Sequence, residues 1–137
     1  MRDYRNQVAP SQFPGFNRGM PDPQPPPVLA LCRDLIFASK IAATAKALGV
    51  ACQIVRDPAR LAEQPGELLL VDLNEPGAIH AAAAWGQRHS RLVVGFVSHV
   101  DAARIAQARV AGITRVMARS GFVEVLPELL ANPGGAE

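Results

Sequence analysis

The chain has 137 residues, of which 49% are apolar, 19% charged and 5% aromatic. This length and composition are typical of one globular domain and exclude a fibrous protein. The formal net charge is only +2, which argues against a nucleic-acid-binding protein because no basic stripe can form. No apolar run reaches the roughly 18 residues of a membrane span, and the start carries no apolar signal core. Two cysteines, Cys32 and Cys52, fit a reducing compartment, so we expect a cytoplasmic protein.

Residues 1–27 contain more than half of the 12 prolines and show neither helical nor strand periodicity. Such a segment buries too little apolar surface to offset the entropy lost on ordering, so the sequence predicts a disordered, proline-rich tail. An alternative is a docking arm that orders on a partner, since Tyr4, Phe13 and Phe16 alternate with arginines.

Short apolar runs alternate with amphipathic stretches from residue 28 onward, which is typical of βα units on a parallel sheet. Strands are predicted over residues 28–32, 51–55, 67–71, 92–97 and 114–118. Helices are predicted over 34–48, 59–64, 78–88 and 101–111, and from 121 onward; the second is unusually short, and Pro127 suggests a kink or a late start in the last. Gly49 and Gly112 are predicted to end helices. The pattern gives an α/β domain over residues 28–131, followed by a frayed C-terminus at 132–137.

Polar residues follow four of the predicted strands, at the edge where ligands collect in open parallel sheets. They are Cys32, Arg33 and Asp34 after the first strand, Asp72 after the third, Ser98 after the fourth and Arg119 after the fifth. No glycine-rich phosphate loop accompanies them, and no hydrolase motif is present, so we do not expect an enzyme.

This arrangement resembles the receiver domain of response regulators over residues 28–131. The resemblance implies a flavodoxin-like (βα)5 three-layer sandwich, with five parallel strands in the order 2-1-3-4-5. It also implies that Asp72 is equivalent to the family's phosphoacceptor, with Pro76 four residues later in a similar loop. Ser98 falls at the family's Ser/Thr, and Arg119 takes the place of its lysine.

The sequence departs from the family after the first strand. The acidic pair that holds a divalent metal would fall on Cys32 and Arg33, which leaves Asp34 one place late. Because Mg²⁺ needs oxygen ligands and tolerates a neighbouring cation badly, we expect Arg33 to replace the metal and to pair with Asp72 at roughly 4 Å. Val116 stands where the family has an aromatic switch residue. The rotamer signal by which that residue reports phosphorylation to a partner therefore has no side chain to carry it.

Three hypotheses follow. The first is a stand-alone, degenerate receiver-like signalling module that acts through protein contact, with no cofactor and no Mg²⁺-dependent phosphorylation. The second is an authentic phosphorylated receiver of a two-component phosphorelay, with Mg²⁺ on Asp34 and Asp72. The third is a small-anion sensor that uses Arg33 and Arg119.

By resemblance, the partner would be another protein or a second copy, bound through the fourth predicted helix, the fifth strand and the fifth helix. The fourth helix carries Arg104 and Arg109 and is followed by Arg115. A merely solvated helix is the alternative, and neither nucleic acid nor a membrane is expected as a partner.

Three other features have simpler explanations. The histidines, His80, His89 and His99, are predicted to be surface residues rather than metal ligands. Cys32 beside Arg33 resembles a reactive thiolate, but the end of a buried strand favours an inert, packed cysteine. Gly95 in the fourth strand is predicted to let a helix pack closely.

Overall fold

The computed structural model describes residues 26–98 and 101–133. The tail predicted before residue 26, His99 and residues 134–137 lie outside the described residues, so the predictions made for them stay predictions. Within the described part, the backbone N–H of Glu67 donates to the carbonyl of Pro27 at 2.9 Å. Pro27 therefore belongs to the domain, one residue before its first strand.

Five parallel strands form one sheet in the order β2-β1-β3-β4-β5, which confirms the predicted fold class. They are β1 (Val28–Leu31), β2 (Cys52–Val55), β3 (Leu68–Asp72), β4 (Leu92–Val97) and β5 (Arg115–Ala118). Each matches its prediction to within one residue at either end. Asp72 is the last residue of β3, paired with Phe96 of β4, and not the first residue after it.

Four α-helices flank the sheet: α1 (Leu35–Ala47), α2 (Ala78–His89), α3 (Ala102–Val110) and α4 (Arg119–Ala131). The short second helix of the prediction is a single 3-10 turn, Pro58–Arg60. Gly49 and Gly112 follow α1 and α3 with φ of +71° and +108°, the left-handed conformation that favours glycine at a helix end. The last helix begins at Arg119, directly after β5 and two residues before the predicted start, and continues through Pro127. Of the two alternatives given for Pro127, the late start is therefore wrong.

The core lies in two layers, one on each face of the sheet, which confirms the three-layer sandwich. One layer packs α1 and α4 against the sheet, and the rings of Phe37, Phe96 and Phe122 meet in it with centroids 4.4 to 5.9 Å apart. The other contains Trp85, whose indole N–H donates to the carbonyl of Gln64 at 2.8 Å. Trp85 therefore joins α2 to the loop before β3.

Gly95 was predicted to make room for a helix. In the structure it makes room for a loop residue, Leu73. A Cβ atom at this position would lie 2.6 Å from Cδ1 and 2.9 Å from Cγ of Leu73. Leu73 directly follows Asp72 and is fully buried. The missing side chain at Gly95 thus leaves space for Leu73 at the start of the loop that follows the candidate phosphoacceptor, Asp72.

We predict that Gly95→Ala lowers the free energy of unfolding by about 1–3 kcal/mol, because Leu73 is enclosed and must shift. Urea denaturation monitored by Trp85 fluorescence measures the change. Gly121→Ala in α4 is the matched control, because a Cβ there meets nothing within 4 Å and alanine favours the helix. An equal loss in both variants would contradict the close packing on Leu73.

Candidate functional site at the carboxyl edge of the sheet

Asp72 is buried at the end of the central strand, with 3% of its surface exposed. Its Oδ1 accepts the backbone N–H of Asn74 at 3.0 Å, and its Oδ2 lies 3.5 Å from Nη2 of Arg119. A buried carboxylate is costly unless it is hydrogen-bonded and paired. These two contacts supply both conditions.

Arg119 is the first residue of α4 and lies across two carboxylates. Its Nη1 donates to Oδ2 of Asp34 at 3.2 Å, while its Nη2 faces Asp72. The guanidinium carbon lies 4.1 Å from the centroid of the Phe37 ring, a favourable cation–π distance. Nε is buried without a hydrogen-bond partner. The ring and the two acids together fix the position of the guanidinium.

Asp34 has two roles at the start of α1. Its Oδ1 accepts the backbone N–H groups of Ile36 and Phe37 at 3.0 and 3.1 Å, as an N-cap does, and its Oδ2 pairs with Arg119. The N–H of Phe37 and, to a smaller extent, the guanidinium lower the pKa of this carboxyl, against a partial opposing effect of desolvation. Asp34 therefore joins the site, as predicted, although the sequence placed it one residue late.

The expected pair between Arg33 and Asp72 is wrong, because the cation beside Asp72 is Arg119. Arg33 is exposed and lines a separate depression with Arg56, Asp57 and Pro58. Side chains alternate in direction along an extended chain. Since Cys32 is buried at the end of β1, the side chain of the next residue turns outward.

Cys32 agrees with the packed, inert interpretation. Burial is the main cause that raises the pKa of its thiol to about 11, with smaller contributions from Asp72 and Asp34. The thiol donates weakly to the carbonyl of Asp34 at 3.6 Å. It is therefore protonated at neutral pH, unlike the low-pKa thiolates that react readily.

Asn74 is a site residue that the sequence analysis missed. Its side-chain Oδ1 accepts both the backbone N–H of Ser98 at 2.7 Å and the Ser98 hydroxyl at 2.8 Å. Ser98 thus lies at the predicted strand end but bonds to the loop rather than to Asp72. An amide two residues after a strand-end aspartate, in a loop that faces another strand end, was the available signal.

Arg104 was predicted on a helix that either binds a partner or is merely solvated, and its contact within the domain was missed. Its Nη1 donates to the carbonyl of Leu73 at 3.1 Å, and Asp101 lies 3.7 Å from its Nε. This contact attaches α3 to the loop after β3. Val116 lies on β5 as predicted, half-buried and packed against the core layer of Trp85; its role as a switch position stays a prediction.

The donor set near Asp72 does not fit a hard divalent cation. Mg²⁺ prefers several oxygen ligands in octahedral array, whereas the two carboxylates present, Asp34 and Asp72, both contact a guanidinium. The neighbouring Cys32 is a neutral thiol. In residues 26–98 and 101–133, no three His, Cys, Asp or Glu side chains come together as a potential metal site.

The two histidines that the structure describes do not approach this site. His89 lies on α2, with its ring 5.0 Å from that of Trp85 and its Nε2 3.0 Å from the carbonyl of Ala62. His80 is exposed. Among the described helices, none is both long and apolar enough to cross a membrane.

Several solved structures with the same fold are receiver domains of response regulators. The signal receiver domain of a response regulator from Mycobacterium tuberculosis superposes with a TM-score of 0.65 at 16% identity, covering 84% of this chain and all of that one. A response regulator from Thermotoga maritima gives 0.65 at 14%, with 82% and 100% covered. A phosphorylated cyanobacterial phytochrome response regulator gives 0.63 at 13%, with 80% and 91% covered.

No protein-family model and no curated protein matches the sequence. At these identities the likeness shows the fold. The chain therefore has the receiver-type flavodoxin-like architecture, and its chemistry must be argued from its own residues.

We predict that the lowered pKa of Asp34, caused first by the Phe37 N–H and further by Arg119, makes stability depend on acid pH. Because the folded-state pKa of Asp34 is lowered, its contribution is complete above the ordinary aspartate pKa of about 3.9 and is lost as pH falls through the lowered value. Asp34→Asn keeps a capping side chain but removes the charge. The difference in unfolding free energy between wild type and Asp34→Asn should therefore shrink below about pH 4.

Thermal or urea unfolding from pH 7 to pH 2.5 measures this difference. Asp57→Asn is a matched control, because Asp57 also caps a turn through Ala59 but forms no ion pair with Arg119. A pH-independent difference for Asp34→Asn would contradict the lowered pKa of Asp34.

Proposed function

We propose that this protein is a degenerate receiver-like signalling module, which acts through contact with another protein and without Mg²⁺-dependent phosphorylation. One observation carries the proposal: a single guanidinium, that of Arg119, contacts both carboxylates of the candidate phosphoacceptor site. The receiver fold supports a role in signalling. Arg119 and Cys32 argue against Mg²⁺-dependent phosphorylation of Asp72, the reaction expected from the resemblance to receivers.

Phosphoryl transfer depends on positioning and on neutralising charge around the transferred group. For Asp72 to act as the acceptor, its Oδ2 would have to be released from Arg119, which is also held by Asp34 and by the Phe37 ring. A hard cation would then need further oxygen ligands beside Asp34, where Cys32 offers only a neutral thiol. Both requirements oppose the reaction.

We expect no 80 Da addition when the protein is incubated with acetyl phosphate and Mg²⁺ and examined by intact-mass spectrometry. The expectation follows from the lack of a metal-binding donor set beside Asp72. Asp72→Asn is the control for any addition elsewhere. Stoichiometric addition to the wild type that is lost in Asp72→Asn would establish the authentic receiver instead.

A gain-of-function variant tests the same explanation from the other side. Cys32→Asp adds a third carboxylate at a position close enough for Asp34, Asp72 and Arg119 to affect the thiol electrostatically. Combined with Arg119→Lys, it should create Mg²⁺ binding in the millimolar range by calorimetry. The matched control, Cys32→Ser with Arg119→Lys, should not bind. Equal binding by both double variants would contradict the explanation.

The second candidate function, an authentic phospho-accepting receiver on Asp72, is favoured by one observation. Asp34 and Asp72 both present their Oδ2 atoms to the same guanidinium, so the two acids converge as a metal-binding pair would. In that case Arg119 would have to move aside when Mg²⁺ binds. The acetyl phosphate experiment separates the two candidates.

We further propose that the partner surface is the face of α3, β5 and α4, and that a second copy of this chain occupies it. Val110 on α3 is 90% exposed, the highest value among the large apolar side chains of the described residues. It lies at the margin of this surface, where it also lines a groove with Ile79 and His80 of α2. Arg109 on α3 and Glu124 and Glu128 on α4 are exposed as well. These two helices pack against opposite sides of the sheet and flank its β5 edge. Their opposite charges suit a two-fold pairing, in which each helix meets the other helix of its partner.

Val110→Glu should therefore shift a concentration-dependent dimer to monomer in light scattering coupled to size exclusion. Leu48→Glu is the matched control, because Leu48 is an exposed apolar residue at the C-terminal end of α1, an element that is not part of the proposed surface. A wild-type chain that stays monomeric at millimolar concentration would contradict self-association and leave a different protein as the partner.

A further inference from the structure

A surface depression separate from the Asp72 site opens at the carboxyl edge of the sheet, beside the ends of β1 and β2. It has a volume of about 480 Å³ and is lined by Arg33, Arg56, Asp57 and Pro58. Arg33 follows β1, and Arg56 directly follows β2. These strands pair in parallel register, with Leu31 opposite Val55, so Arg56 and Arg33 follow neighbouring strand ends, staggered by one residue, and both line the depression.

Two arginines and one aspartate line this depression, so the described lining carries a net positive charge. Arg33 and Arg56 are exposed, and neither forms an ion pair with a carboxylate of the described residues. Asp57 lines the same depression, but its Oδ1 accepts the backbone N–H of Ala59 and caps the 3-10 turn. Asp34, the acidic neighbour of Arg33 in sequence, is already paired with Arg119.

We propose that this depression binds a phosphate group, either inorganic phosphate or the phosphate of a small monoester. Arginine presents several N–H donors in a planar fork that matches phosphate oxygens, and two forks on adjacent strand ends can hold one phosphate from two sides. In a monoester, the second oxygen of Asp57 is available to accept a hydroxyl of the alcohol part. The carboxyl edge of an open parallel sheet is where such ligands bind.

This site is separate from the proposed function, because binding is noncovalent and uses neither Asp72 nor a metal ion. If phosphate does not bind, the contact of Arg119 with Asp34 and Asp72 still supports the proposed function. A phosphorylated Asp72 would equally leave the arginine depression intact. The acetyl phosphate experiment therefore does not decide this proposal.

The test is titration of the full chain with sodium phosphate and, in a second arm, with glucose 6-phosphate. Isothermal calorimetry measures the affinity, and amide NMR shifts around residues 33 and 56 locate the site. We expect saturable binding that weakens as salt rises. Arg33→Gln and Arg56→Gln should each weaken it at least about tenfold. Tighter binding of the sugar phosphate than of phosphate, lost in Asp57→Asn, would identify a monoester as the ligand, and the reverse order would identify the free ion.

Arg60→Gln is the matched control. Arg60 is an exposed arginine on the same 3-10 turn but does not line the depression, so its loss should leave the affinity unchanged. Weakening by Arg60→Gln equal to that of Arg33→Gln would reduce the effect to general surface charge and overturn the proposal. So would the absence of saturation up to about 10 mM in both arms.

Discussion

The contact of Arg119 with Asp34 and Asp72 is the constraint on which the rest of this site depends. It joins the end of β3, the cap of α1 and the first turn of α4 through one guanidinium. A positive side chain at a helix N-terminus is unfavourable by itself, because the helix dipole is positive there. Two carboxylates and the face of Phe37 offset that cost. Removing the guanidinium would leave Asp72 buried with one hydrogen bond, the kind of uncompensated charge that costs several kcal/mol.

The loop after Asp72 is held as firmly as the carboxylate itself. Leu73 donates its backbone N–H to Phe96 at 2.9 Å, accepts at its carbonyl from Arg104, and fills the space above Gly95. Asn74 then binds Ser98 through its side chain. In this way α3 and the end of β4 are both connected to the residues beside Asp72. These hydrogen bonds connect the loop beside Asp72 to α3, one element of the proposed partner surface.

The backbone could be predicted from the sequence because each strand is a nearly unbroken apolar run and each connection carries its own signal. Gly49 and Gly112 mark the ends of α1 and α3 since only glycine takes their positive φ easily. The site was harder to predict. Arg33 and Arg119 are equally plausible partners for Asp72 in the sequence, and the choice depends on which way each side chain turns at its strand end. Arg119 is the partner because α4 begins at this residue. No side chain caps the helix, so no pattern in the sequence shows that Arg119 already belongs to its first turn.

The most direct test of the central claim is a crystal structure of the protein soaked with Mg²⁺ and beryllium fluoride, a mimic of the phosphoryl group. We predict that Arg119 still lies across Asp34 and Asp72, with no beryllium on the Asp72 carboxylate and no metal beside it. Beryllium trifluoride bound to Asp72, with Mg²⁺ between the two acids and the guanidinium turned away, would contradict the account and support a phospho-accepting receiver instead.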